Sequence, residues 1–92
     1  MFTLLIADDH PLYRDALKGA LKLSATDIDI IETDDLNSTV KAIETNDIDL
    51  LMLDLHMPGS SDLFGFLHIQ KTFPDLPIAV ISGTEEASLI SK

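Results

Sequence analysis

The chain has no cysteine among its 92 residues. That absence removes disulfides, thiolate catalysis and cysteine-based zinc sites together, and it fits a cytosolic protein. Basic side chains are scarce: 6 Lys and Arg stand against 16 Asp and Glu, a formal net charge of −10. Such a surface repels phosphate backbones, so the segment by itself is a poor nucleic-acid binder. Long hydrophobic runs are also lacking. The N-terminus, MFTLLIADD, has no basic region, and its short apolar run meets two acids at once. It reads as neither a signal peptide nor a membrane span. No linker, low-complexity tract or solenoid repeat divides the chain, and TDIDII and NDIDLL are alike only as polar entries into strands.

What is present suits one domain spanning residues 1–92, with 46% hydrophobic residues to build a core. Four short apolar runs stand out: LLIA (4–7), IDII (28–31), LLML (50–53) and IAVI (78–81). Three are apolar throughout, which suggests strands buried on both faces of a parallel sheet. The second alternates through Asp29 and reads as an edge or half-buried strand. Helical periods lie between the runs. Residues 11–23 place Leu12, Ala16, Leu17, Ala20 and Leu21 on one stripe, with Arg14, Asp15, Lys18 and Lys22 facing away. Pro11 suits the first turn of that helix. Residues 35–45 place Leu36, Val40 and Ile43 together, and residues 61–73 are richer in apolar groups, with Ser60 or Ser61 as N-cap and Pro74 as the stop. Glu85 and Glu86 suit the start of a fourth helix. The order βαβαβαβα predicts a doubly wound α/β fold with a parallel sheet in the order 2-1-3-4.

Ligand sites in such sheets form at the carboxyl ends of the strands. The first strand ends in Asp8 and Asp9, the third in Asp54, and the fourth in Ser82. With the first and third strands adjacent, three carboxylates converge on one mouth. Acids at a helix start could simply favour the helix dipole. Three together repel one another, however, and the cluster is unfavourable unless a cation binds. Carboxylates plus water are the Mg²⁺ pattern, and Mg²⁺ beside an aspartate makes that aspartate a phosphoryl acceptor. Ser82 could donate to a phosphoryl oxygen or merely cap the next helix. The other features read blandly. His10 follows the acid pair and is assigned to helix entry or surface rather than to charge modulation. His56 and His68 lack zinc partners at ligand spacing. The run Asp27, Asp29, Glu32, Asp34, Asp35 lacks the offsets of an EF-hand and reads as solvated strand ends and a cap.

ADDHPLYRDAL (7–17), LDLHMPG (53–59) and PDLPIAVISG (74–83) resemble the receiver domain of two-component response regulators, and DDHP resembles the LuxR/NarL-type transcription factors. The resemblance covers nearly the whole chain. It implies a flavodoxin-like fold and a signalling domain that is not an enzyme beyond its own phosphorylation and autodephosphorylation. It makes Asp54 the phosphoacceptor, Asp9 a direct Mg²⁺ ligand, Asp8 a ligand through water and the His56 backbone carbonyl a further ligand. Ser82 becomes the switch hydroxyl, and Met57-Pro58-Gly59 the turn that shapes the site. The implied partners are a sensor histidine kinase and, through a C-terminal domain outside this chain, DNA; no membrane is implied. The family's fifth strand, its lysine and its fifth helix have no counterpart in these residues, so the domain reads as C-terminally truncated. An open sheet edge and an uncovered apolar face then predict a dimer or a domain swap. Two other classes compete. A haloacid-dehalogenase-type phosphatase needs an acid two residues after the nucleophile, where this chain has His56. A receiver-like interaction module that takes no phosphate would not bind Mg²⁺.

Overall fold

The computed structural model describes residues 2–24, 27–55, 63–81 and 87–88. The apolar runs form the strands β1 (Phe2–Ala7), β2 (Ile28–Thr33), β3 (Leu50–Asp54) and β4 (Ile78–Ile81), all mutually parallel. Their order is β2-β1-β3-β4, as the sequence predicts. Leu4, Leu5, Ile6 and Ala7 are at most 2% exposed, which places β1 inside the sheet with both faces covered. Full burial of each such Leu or Ile is worth about 1.5–3 kcal/mol. β2 lies at the edge and keeps Asp29 in solvent. A two-residue strand, β5 (Ala87–Ser88), pairs antiparallel with β4 at the other edge. The edge left open in the sequence reading is thus partly paired. Glu85 and Glu86, the expected start of a fourth helix, lie outside the described residues, but Ala87 and Ser88, where that helix would continue, form β5 instead.

The helices are α1 (Pro11–Ser24), α2 (Leu36–Thr45) and α3 (Leu63–Thr72). α2 and α3 share one face of the sheet, where Leu36, Ala42, Phe66 and Ile69 pack with Leu5, Leu51, Leu53, Ile78 and Val80. Thr39 is fully buried in α2, a residue the apolar period passes over. Its hydroxyl donates to the Asp35 carbonyl at 2.7 Å and lies 2.7 Å from the Thr33 hydroxyl, so its polarity is satisfied inside the helix–sheet joint. In α3, Phe66 and Ile69 turn inward, while Leu63, Phe64 and Leu67 stay exposed. The N-cap expected at Ser60 or Ser61 lies outside the described residues.

α1 corrects the sequence reading. Leu12 is 85% exposed, and Ala16 and Ala20 are exposed with it. The half-buried residues are Arg14, Leu17, Lys18 and Leu21. Register sets the reason. Glu32 pairs with Ile6 and so lies on the sheet face opposite the α2–α3 core, beneath α1. Lys18 Nζ donates to Glu32 Oε2 at 2.7 Å, and Arg14 Nε lies 3.4 Å from Glu32 Oε1. The two long side chains cover apolar surface with their stems while their heads meet the carboxylate.

At the start of α2, Asp35 is the N-cap and accepts from the Ser38 N–H at 2.7 Å. Ser38, through its hydroxyl and then its N–H, holds the Asp35 carboxyl below the ordinary carboxylate value. A depressed folded-state value stabilises the fold above the unfolded-state value and loses that effect as pH falls through the carboxylate range. Asp35→Ala is therefore expected to lower the melting temperature by about 4–8 °C at neutral pH. The gap from wild type should shrink on acidification. Equal melting temperatures at neutral pH would remove Asp35 from the account of this helix.

Candidate functional site

Parallel pairing builds the site. β1 and β3 are neighbours in the register Ala7↔Leu53, so the next residues at the carboxyl edge are Asp8 and Asp54. The ladder runs on past both strand ends. The Asp8 N–H donates to the Thr33 carbonyl at 3.0 Å, and the Leu55 N–H donates to the Ile81 carbonyl at 3.2 Å. Asp8 and Asp54 are thereby held on backbone that is still part of the sheet. Their side chains are 2% and 0% exposed, and that of Asp9 is 32% exposed.

His10 completes the group. Its carbonyl accepts from the Arg14 N–H at 3.0 Å, which makes it the residue from which α1 departs, with Pro11 behind it in the first turn. Its own N–H donates to Asp8 Oδ1 at 2.8 Å. That tight turn returns the imidazole over the end of β1. Nδ1 lies 2.8 Å from Asp8 Oδ1, 3.1 Å from Asp9 Oδ1 and 3.6 Å from Asp54 Oδ2. The hydrogen bond to Asp8 raises the His10 pKa above its ordinary value, followed by the charges of Asp9 and Asp8. Desolvation opposes them in part, and Asp54 adds a smaller upward push.

Asp8, Asp9, His10 and Asp54 offer ligand atoms that all lie within 4.8 Å of one another. Asp9 Oδ1 is out of solvent and accepts no hydrogen bond; its contact with His10 Nδ1 is a charge contact only. A donor set of carboxylate oxygens with one such atom fits a hard divalent cation, and so fits Mg²⁺. The mouth brings together the three aspartates singled out from sequence. Ser82, His56 and the turn Met57-Pro58-Gly59 lie outside the described residues. The sequence reading passed over His10 by placing it at the helix entry. It is there, and the same position puts its ring among the carboxylates. Pro11 was the available signal, because a helix that starts at Pro11 leaves His10 to make the turn out of β1.

Residues 4–92 match the family model described as the response regulator receiver domain. A curated relative, the glycerol metabolism activator of Pseudomonas putida, is 33% identical over 91 residues, covering 98% of this chain and 41% of the relative. The nitrate/nitrite response regulator protein NarP of Escherichia coli K12 is 37% identical over 62 residues, covering 67% of this chain and 29% of that protein. This chain thus spans less than half the length of either relative. Among solved structures, the complex of the histidine kinase ThkA with the response regulator protein TrrA contains a chain that superposes with a TM-score of 0.81 at 28% identity, covering 94% of this chain and 72% of that one. With its parallel sheet, its acids at one strand-end mouth and NarL-type regulators among its relatives, the chain belongs to the response regulator receiver domain family.

Proposed function

We propose that this receiver domain is a phosphorylation-gated switch with Asp54 as its phosphoacceptor. The observation that supports it most is the placement of Asp54 with Asp8 and Asp9 at one mouth, its carboxylate buried yet at the end of its strand. The donor is a phosphohistidine on a sensor kinase. An Asp54 carboxylate oxygen attacks phosphorus, the P–N bond breaks with its electron pair returning to the donor imidazole, and an acyl phosphate forms on Asp54. Water later hydrolyses it, so the domain accepts and loses its own phosphoryl group and turns over no other substrate. Asp9 and Asp54 would hold Mg²⁺ directly, with the His56 carbonyl, and Asp8 would hold it through water. Bound there, such an ion would neutralise charge on the phosphoryl oxygens. β3 fixes the nucleophile's position, and the surrounding core keeps bulk water from it. Ser82 supplies a hydroxyl to the phosphoryl group and carries its presence to the segment that follows.

The kinase partner is supported by the ThkA–TrrA complex, in which a chain of this fold meets a histidine kinase. The relatives extend well beyond the matched portion, which leaves room for a LuxR-type DNA-binding output domain. As a receiver domain of response regulators, the switch is placed in the cytoplasm. Among the described residues no helix is long and apolar enough to cross a membrane. Self-association is the output of the domain itself, supported by the exposed Leu12 and Leu23 on α1. A dehalogenase-type phosphatase is disfavoured by His56, which stands where a general acid is needed.

Three outcomes test this reading. Incubation with acetyl phosphate and Mg²⁺ should add one phosphoryl mass to the wild type and none to Asp54→Asn, by intact-mass spectrometry. An adduct on both proteins would move the acceptor elsewhere, and none on either would favour an interaction module. Calorimetric titration should show Mg²⁺ binding weakened about tenfold or more by Asp9→Asn, which removes one charged ligand. Unchanged affinity would take Asp9 out of the metal shell. Light scattering at high protein concentration should give a dimer mass that falls on Leu12→Glu; a monomer throughout would refute self-association through α1.

A further inference from the structure

We propose that Thr33 and Thr39 are positioning residues for the acidic mouth: their buried hydroxyl pair fixes the end of β2 and, through it, the backbone that carries Asp8. The inference rests on reading Asp8, Asp9 and Asp54 as the phosphoryl and cation site, and it concerns two residues outside that group.

The hydroxyls form a chain with a defined direction. Thr39 has one O–H and gives it to the Asp35 carbonyl at 2.7 Å. Its oxygen then accepts from Thr33, whose Oγ1 lies 2.7 Å away. The order runs from Thr33 to Thr39 to Asp35. Thr33 is 9% exposed and Thr39 0%, so the pair satisfies hydroxyls that solvent barely reaches.

Position gives this chain its consequence. Thr33 is the last residue of β2, an edge strand that β1 holds from one side. Its carbonyl accepts the Asp8 N–H at 3.0 Å, a rung that continues the β1–β2 ladder past the pair Ala7↔Thr33. Asp34 and Asp35 are all that separate β2 from α2. The Thr33–Thr39 bond braces that short connection from within, and α2 itself packs on β1 and β2. The residue that holds the Asp8 backbone is therefore held in turn by α2. Asp8 is 1% exposed, so its carboxylate has little room to compensate for a shift of its backbone.

Energetics point the same way. A buried hydroxyl pair contributes little net stability, and two apolar groups of the same shape would fill the joint about as well. Apolar contact does not supply direction. Burial of apolar surface is non-directional, whereas a hydrogen bond restricts both distance and angle.

The test compares wild type with Thr33→Val, Thr39→Val and the double valine variant, and with the double variant Thr33→Ser, Thr39→Ser. Each is read by thermal melting, by calorimetric titration with MgCl₂ and by amide hydrogen exchange in the metal-free protein. Thr39→Val strands the Thr33 O–H and should lower the melting temperature by about 4–8 °C. The double valine variant strands no hydroxyl and should recover most of that loss. Its Mg²⁺ affinity should nevertheless stay about tenfold weaker than wild type, as for other residues that orient a metal ligand. Its Asp8 N–H should exchange about tenfold faster, while the Asp49 N–H, bonded to Thr3 at the amino edge, changes less than about twofold. The double serine variant keeps both hydroxyls and should hold Mg²⁺ within about twofold of wild type. Unchanged Mg²⁺ affinity and Asp8 exchange in the double valine variant overturn the positioning role and leave the cation site standing. Changes that simply follow the melting temperature from variant to variant do the same. A wild type that binds no Mg²⁺ overturns the site reading and the role of the pair with it.

Discussion

The β1–β3 register is the constraint on which the site depends. Side chains in a strand alternate between faces, so a slip of one residue would turn every core side chain of β3 to the wrong face and displace Asp54 from Asp8. The far end of the same pair secures it. The Thr3 N–H donates to Asp49 Oδ2 at 2.7 Å, and the Asp49 N–H donates to the Thr3 carbonyl at 2.8 Å. Asp49 thus closes the pairing at the amino edge, Leu4 to Ala7 carry it through the core against Leu50 to Leu53, and the acids emerge at the carboxyl edge. An exposed aspartate that looks like mere strand-entry polarity helps to align a buried one at the other end.

Charge is distributed with the same logic. Carboxylates set side by side destabilise one another, and burial adds to the effect because the charged form loses water. Among the described residues, the ion pairs reaching the mouth come from His10, whereas Arg14 and Lys18 are committed to Glu32 beneath α1. The helix nearest the acids thus spends its permanent cations elsewhere. What remains at the mouth is the His10 imidazole, which meets the carboxylates without a permanent charge.

The same commitment explains the surface of α1. Turning Arg14 and Lys18 toward β2 rotates Leu12, Ala16 and Ala20 toward solvent. With Leu17 and Leu21 kept against the sheet beside the basic stems and Leu12, Ala16 and Ala20 outward, the helix covers one surface and presents another. The sheet beneath loses nothing, since Leu4 and Ile6 are at most 2% exposed. α1 thus links the site, through the turn at His10, to the exposed Leu12 and Leu23 on its outer face.

Fold class, strand order and the three aspartates were legible in the chain because each depends on local pattern. Unbroken apolar runs require burial on both faces, connections of helical length require parallel strands, and acids directly after such runs must lie at the carboxyl edge. The inward face of α1 was not legible. Its stripe is decided by Glu32, which is distant in sequence and reaches the helix only through β1–β2 pairing. Thr39 was hidden for a similar reason, since its burial is permitted by the Thr33 hydroxyl and the Asp35 carbonyl. His10 belongs with them. Sequence placed it correctly at a helix entry, but the turn from β1 into α1 decided that its ring meets three carboxylates. Periodicity determines which residues are apolar together. Only the register of the sheet determines which polar groups from separate segments come within hydrogen-bonding distance.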